Sequence, residues 1–330
     1  GVTNSSRTLI MKEYKLFLQE NAAVISIFLF FLVVLLFFTI SADAFLTKRN
    51  LLNLIRQSAP ILISAFAMTF VITTKGIDLS IGSTLAITNA LCAILLQNEI
   101  NWIVVLISLC LLGLCIGGVQ GYFIAFEKIP AFIVTLAAMS IVRGLALLMT
   151  EGFTIPIDGT ISIVTIGRGW ALGIPIPAII TFFLFILCFI VFEHTTYGKY
   201  VTGIGSNEES VRRSGVNVNL YIMSTYMLCG LCAAIGGIII AGRLGSGSSN
   251  AGVMFELEVI AAVVLGGTNL FGGRGTIIGT LLGALTIAMI GNGLILLHVS
   301  PFYTQIITGL IILAAIWLNT KYFQRRSKKS

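Results

Sequence analysis

The stretch Thr73-TTKGIDLSIGS-Ser83 places a lysine, a glycine, an aspartate and two serines inside an otherwise apolar run. The block around it, Ala59 to Leu96, is about twice the ~20 residues needed to cross a bilayer. The chain must therefore turn within it, and Lys75-Gly76 is the polar break that can host the turn. Asp78 and Ser80 then become candidate N-caps for the helix LSIGSTLAITNALCAILL, accepting hydrogen bonds from its first free amides. Two readings follow. Either Asp78 caps a helix at the membrane surface, or the helix is discontinuous and its polar end faces a substrate path. Polar backbone at membrane depth survives only beside protein or a cavity. The preceding segment Ile61–Val71 is short for a full crossing, which favours a break inside the membrane.

The remainder of the chain sets that stretch in lipid. Of 330 residues, 57% are hydrophobic and 10% charged, with a mean hydropathy of +1.02. Soluble domains carry roughly 25% charged residues, so most of this surface faces hydrocarbon. Long continuous apolar runs, rather than alternating ones, exclude a β-barrel. The fold class is all-α, a polytopic membrane protein. Spans are expected near 22–41, 58–74, 80–97, 102–125, 131–149, 177–192, 220–241, 257–270, 276–297 and 302–319, about ten in all. The eighth is short and glycine-ended. The expected organisation is an N-terminal segment 1–21, one membrane domain 22–319 with a polar loop 193–219 inside it, and a basic tail 320–330. Residues 1–10, ahead of Met11, read as an expression scar or an alternative start. No cleavable signal pattern is present.

Charge placement orients the bundle. With an even number of spans, fourteen of the 20 Lys and Arg fall on the side of the termini and five on the other, and Arg143 lies within a span. That bias predicts both termini in the cytoplasm. The net charge of +7 sits in the tail and the loops, which argues against nucleic acid. The six cysteines lie in apolar segments, and Cys229-x-x-Cys232 has no second pair for zinc. His194 and His298 fall at opposite faces, so no metal site and no cofactor are expected. No catalytic or nucleotide-binding motif is present. Glycines recur every four residues at Gly113, Gly117 and Gly121 and again at Gly275, Gly279 and Gly283, a spacing that lets helices approach closely. Their offset of five spans allows an inverted repeat of helices 2–5 and 7–10.

Arg143 is costly near a helix centre unless it meets a counter-charge, carbonyls or water. Glu256 and Glu258 are candidate partners; the alternative is that Arg143 snorkels outward. Other polar residues within spans, among them Asn89, Gln120, Thr135 and Asn292, either line a passage or bond across helices. The polar loop is better punctuated. Ser206 and Glu209 form a capping box, Glu208 and Glu209 suit a helix start, and Arg212 and Arg213 suit its end. Gly215 can take the left-handed conformation that terminates it. A short helix over Ser206-Asn207-Glu208-Glu209 to Arg212-Arg213-Ser214-Gly215 is too polar for lipid and suits docking to a partner.

Four collinear motifs, GIDLSIGS (Gly76–Ser83), KIPAFIVTLAAMSIVRG (Lys128–Gly144), GSNEESVRRSGVNV (Gly205–Val218) and FELEVIAAVVLGGTNLFGGRGTIIGTLLGAL (Phe255–Leu285), resemble the ribose-type monosaccharide permeases of bacterial ABC importers. The resemblance covers nearly the whole chain from about residue 20. It implies a type II importer permease in the bacterial inner membrane, paired with a second permease subunit, identical or paralogous. A cytoplasmic ABC ATPase and a periplasmic sugar-binding protein would complete the assembly and deliver a small sugar. It also implies that Gly205–Gly215 is the coupling helix, and that Gly76–Ser83 is a turn near the translocation path. Ser206 and Lys75 depart from residues common in such relatives. The path candidates are Asp78, Ser80, Ser83, Asn89, Thr135, Arg143, Glu256, Glu258 and Asn292. Two other classes remain open, an ion-coupled transporter using Asp78 or Glu258 and a non-transporting scaffold. Nucleosides and branched-chain amino acids are the nearest alternative substrates.

Overall fold

The computed structural model describes residues 22–300 and scattered positions between 302 and 317. The expected segment 1–21, the tail 320–330 and much of the tenth expected span lie outside the described residues. Helix α1 (Ala22–Ser41) is almost wholly apolar. It packs Val34 and Phe38 against Met289, Ile290 and Leu294 late in the chain. Helix α2 (Lys48–Thr73) begins ten residues before the expected span, because Thr47 caps it by accepting from the Asn50 amide at 3.3 Å. Hydropathy alone sees only its apolar part. From Ser58 to Thr73 every residue of α2 is buried, so this helix is the axis of the bundle.

Helix α3 (Ile81–Gln97), α4 (Trp102–Ala125) and α5 (Ala131–Thr150) follow, joined by short loops. The long connection after α5 holds strand β1 (Ile155–Pro156), short helix α6 (Ser162–Arg168) and hairpin strands β2 (Trp170–Ala171) and β3 (Ile174–Pro175). In it, the Thr160 amide and hydroxyl donate to Asp158, both at 2.9 Å, and hold its carboxyl below the usual range. Helix α7 (Ile176–Phe189) ends in a π-helical turn, Ile190–His194. Helix α8 (Thr196–Arg213) follows, then α9 (Val218–Leu244), strand β4 (Ser246–Gly247), α10 (Phe255–Leu265) and α11 (Ile277–Leu296). Strand β4 pairs antiparallel with β1.

Among the described residues seven helices are long and apolar enough to cross a membrane. The third expected span, helix α3 with 17 residues, and the eighth are not among them. Helix α10 has 11 residues, about 16 Å of helix at 1.5 Å per residue, against a hydrocarbon core of ~30 Å. The chain makes up the difference with the non-helical segment that precedes it.

Helix α9 packs on α3 and α4, α2 packs on α10 and α11, and α2 and α9 pack on each other. Exchanging the two halves preserves this pairing, and α2 and α9 run in opposite directions. The first glycine ladder serves the seam between halves: a Cβ on Gly117 would lie 2.1 Å from the Tyr226 carbonyl, and one on Gly113 2.3 Å from that of Gly230. The second ladder does something else. Gly279 and Gly283 close on Gly266 and Ala262, so they pack α11 on α10 within one half.

Candidate functional site

Two non-helical segments enter the bundle from opposite faces. The first, Thr74–Ser80, joins α2 to α3. Asp78 Oδ1 accepts from the Ser80 amide at 2.9 Å and from the Ser80 hydroxyl at 2.7 Å. This is a side chain satisfying a backbone amide two residues on, a turn that competes with regular helix. Ser80 was expected to cap α3 as well, but its side chain makes no capping bond. Its hydroxyl instead accepts from Gln120 Nε2 of α4 at 2.7 Å, giving the relay Gln120–Ser80–Asp78. The Thr135 hydroxyl of α5 is shared between the Ala131 carbonyl of its own helix at 2.9 Å and the Ile77 carbonyl at 3.2 Å. Ser83 turns back to the Ser80 carbonyl at 2.8 Å. Asp78, Ser80, Ser83, Gln120 and Thr135 are all buried. Gly76 is required here: a Cβ would fall 2.3 Å from the Tyr226 hydroxyl.

The second segment, Gly245–Met254, joins α9 to α10 and is held differently. Asn89 of α3 accepts from the Ser248 amide at 2.7 Å and donates to the Gly237 carbonyl at 3.0 Å. The Thr150 hydroxyl at the end of α5 donates to Ser249 Oγ at 2.8 Å. Arg143, also on α5, donates to the carbonyls of Ser249, Ala251 and Gly252 at 2.7, 2.8 and 3.1 Å. Carbonyls, rather than an ion pair, satisfy this guanidinium. Neither Glu256 nor Glu258 forms a salt bridge with it, although Glu256 lies near enough to act on its charge. Glu256 Oε2 is itself buried without a hydrogen-bond partner, while Glu258 is exposed.

The two segments bring their helices together. A Cβ on Gly82, in the first turn of α3, would lie 2.6 Å from the Gly252 carbonyl and 2.3 Å from Glu256 Oε2. The N-termini of α3 and α10 therefore begin side by side. Helix α5 touches both segments, with Thr135 and Arg143 eight residues apart, about 12 Å along the helix axis. Asn292 stands apart from this cluster. It exchanges hydrogen bonds with Asn50 at 2.9 and 3.1 Å, tying α11 to the first turn of α2. The Ser248–Gly252 backbone was not among the expected site residues. Its signal was the polar, glycine-rich run GSGSSNAG (Gly245–Gly252) between two apolar blocks.

Helix α8 differs from expectation in length and in its cap. It starts at Thr196 and is broken at Asn207, whose backbone is extended (φ −153°, ψ 95°). Asn207 Oδ1 accepts from the Ser210 amide at 3.0 Å, so Asn207 rather than Ser206 caps the terminal turns. Asparagine is as good an N-cap as serine, and the break falls one residue later than the capping-box pattern implied. Ser206 instead belongs to the first part of α8, donating to Thr202 O at 3.0 Å. After the break, Glu208 pairs with Arg212 and Glu209 with Arg213. Lys128 reaches Glu208 at 3.5 Å and Asn219 at 2.9 Å. Ser214 closes the helix and Gly215 follows with φ +83°.

Just before the break, Gly205 meets the rest of the protein with no side chain between. A Cβ there would lie 1.8 Å from the Thr73 carbonyl and 2.4 Å from the Gly273 amide. The Gly273 amide donates to the same Thr73 carbonyl at 2.9 Å. The end of α2, the α10–α11 loop and α8 thus touch backbone to backbone.

With this geometry in place, residues 50–316 match the family model described as branched-chain amino acid transport system / permease component. The chain belongs to that permease family. This permease is 40% identical over 310 residues to the ribose import permease protein RbsC of Escherichia coli K12, covering 93% of its own chain and 95% of the relative. It is 42% identical over 294 residues to RbsC of Bacillus subtilis 168, covering 89% and 91%. Against the xylose transport system permease protein XylH of E. coli K12 the permease is 31% identical, covering 88% and 89%. No solved structure matches it.

Proposed function

We propose that this permease is the membrane subunit of an ATP-driven importer for a monosaccharide, and that it works beside a second permease subunit. The observation that carries the reading is the meeting of the heads of α3 and α10, each preceded by a non-helical segment, in a bundle whose central helix α2 ends against a kinked polar helix. Each segment can close one end of a passage. Alternating access is gating of one half of such a bundle against the other. The relatives named for ribose and xylose import support a sugar as cargo.

The head of α10 is the best candidate for the passage wall. Glu258 is exposed on the surface of this chain beside exposed Val253, Met254 and Leu257. A carboxylate at membrane depth is expensive facing lipid, so this face lines water at the junction with the second subunit. Asp78 and Ser80 are buried in the first segment and act there as its anchor; Ser83, Asn89 and Thr135 hold the segments rather than touch cargo.

The part of α8 beyond Asn207, with Glu208, Glu209, Arg212, Arg213, Ser214 and Gly215, is the surface on which a cytoplasmic ATPase docks. ATP is hydrolysed on that separate chain, and the permease itself catalyses no reaction. A periplasmic binding protein delivers the sugar to the opposite face, and both termini are cytoplasmic. The test is uptake of radiolabelled ribose and xylose by vesicles holding the permease, its neighbouring ATPase and binding protein. ATP-dependent uptake of at least one sugar is expected. Uptake that persists without the ATPase would replace this reading with an ion-coupled carrier.

A further inference from the structure

From the same geometry we infer that Arg143 is the latch of the second segment, a positioning residue that holds the gate opposite the ATPase face in register with α5. The inference rests on the importer reading for what the gate does, and on the hydrogen bonds for where it is held. Segment Gly245–Met254 has few means of holding itself. Ser248 bonds the Asn250 amide, and β4 contributes a two-residue ladder, but the Ser249, Ala251 and Gly252 carbonyls at its tip all converge on one guanidinium. Arginine alone offers a planar fork of five donors on a permanently charged group, which can serve three carbonyls at once.

A cation in mid-helix is costly to keep in a membrane span, so a role beyond packing is called for. Its neighbours are small or apolar: Ser140, Val142, Gly144 and Ala146 leave α5 with no other donor to these carbonyls. The same helix carries Thr135, which holds Ile77 of the first segment. A rigid helix that grips one segment eight residues from where it grips the other fixes their spacing. When the first segment moves with the coupling helix, α5 carries the shift, and the latch at Arg143 decides whether the second segment follows or lets go.

The experiment uses the full complex of permease, ATPase and binding protein in nanodiscs, with Arg143→Gln and Arg143→Lys. Amide hydrogen exchange of residues 246–254 and the melting temperature of each variant are followed with and without ATP, and sugar uptake is measured with the same complexes in sealed vesicles. In the wild type, ATP is expected to change exchange in this segment. In R143Q, loss of charge-assisted hydrogen bonds worth about 1.5–3 kcal/mol should speed exchange there about tenfold or more and make it insensitive to ATP. Uptake should fall by a similar factor while melting shifts little. R143K, which keeps charge but loses the fork, should fall between the two, and it decides the matter if R143Q does not accumulate. The latch is overturned if R143K and any accumulated R143Q exchange like the wild type and keep its ATP response, or if R143K is no better than R143Q. Absence of ATP-driven uptake in the wild type would instead remove the importer reading. The latch would then stand or fall on exchange alone.

Discussion

The two non-helical segments solve the same problem in opposite ways. Thr74–Ser80 brings its own polar side chains: Asp78 satisfies the Ser80 amide, and Ser80 recruits Gln120. Gly245–Met254 offers mainly backbone and is held by side chains from elsewhere, Asn89, Arg143 and Thr150. A buried polar group must find a partner wherever it comes from. The first arrangement ties the segment's shape to its own residues. The second leaves it dependent on neighbouring helices, α5 above all, and so readier to respond when they move.

The largest expected effect would break the frame in which both segments are compared. Replacing Gly117 by leucine drives a side chain into the Tyr226 carbonyl 2.1 Å away, and backbone cannot yield as a side chain can. A loss above the usual overpacking range of about 1–3 kcal/mol is expected, seen as failure to accumulate in membranes or a collapse of the melting transition.

Next, Asp78→Ala and Asn89→Ala should separate the segments. Each orphans buried groups at a cost of about 1–3 kcal/mol. Hydrogen exchange should rise around residues 76–82 in the first variant and around 246–252 in the second. If both variants loosen both segments equally, the two segments are not held independently. A smaller effect is expected at the kinked helix. Asn207→Ala should cost about 1 kcal/mol of local helix stability and speed exchange at Ser210, whereas Ser206→Ala should leave Ser210 unchanged. The reverse result would restore the capping box read from the sequence.

The smallest effect concerns the outer connection that backs the second segment, where the Ile157 amide bonds the Gly245 carbonyl. Asp158 is held below its ordinary value of 3.8 by the Thr160 amide and hydroxyl. A depressed carboxyl contributes stability that is fully present above the unfolded value and is lost as pH falls through the folded one. Exchange of the Thr160 amide should therefore speed up, relative to its neighbours, as pH falls below 3.8. Asp158→Asn should abolish that pH dependence.

How much of this could be read from residues alone follows from the same contrast. The first segment was legible because its chemistry is local: Asp78, Ser80 and Gly76 stand out against apolar neighbours. The second was half visible. Arg143 declared itself as a cation within a span, but carbonyl acceptors have no letter in a sequence, and Glu256 and Glu258 were the partners that could be named, with outward snorkelling as the alternative. Helix α10 looked like a crossing because hydropathy counts apolar residues and cannot see that the non-helical run Gly245–Met254 delays its start to Phe255. The polar break at Asn207 was placed one residue early because serine and asparagine cap equally well. The glycine ladders were visible as ladders, yet spacing alone could not say that one joins the halves and the other closes a hairpin.

Where Gly205, Thr73 and Gly273 touch, no rotamer stands between three pieces of main chain. A joint with side chains in it can soak up a small displacement by letting them swivel; this one has nothing that can swivel. A push arriving at the polar knob would reach both halves of the bundle at nearly full amplitude, and the softness that lets the machine bend must be found elsewhere, at the single extended residue next door.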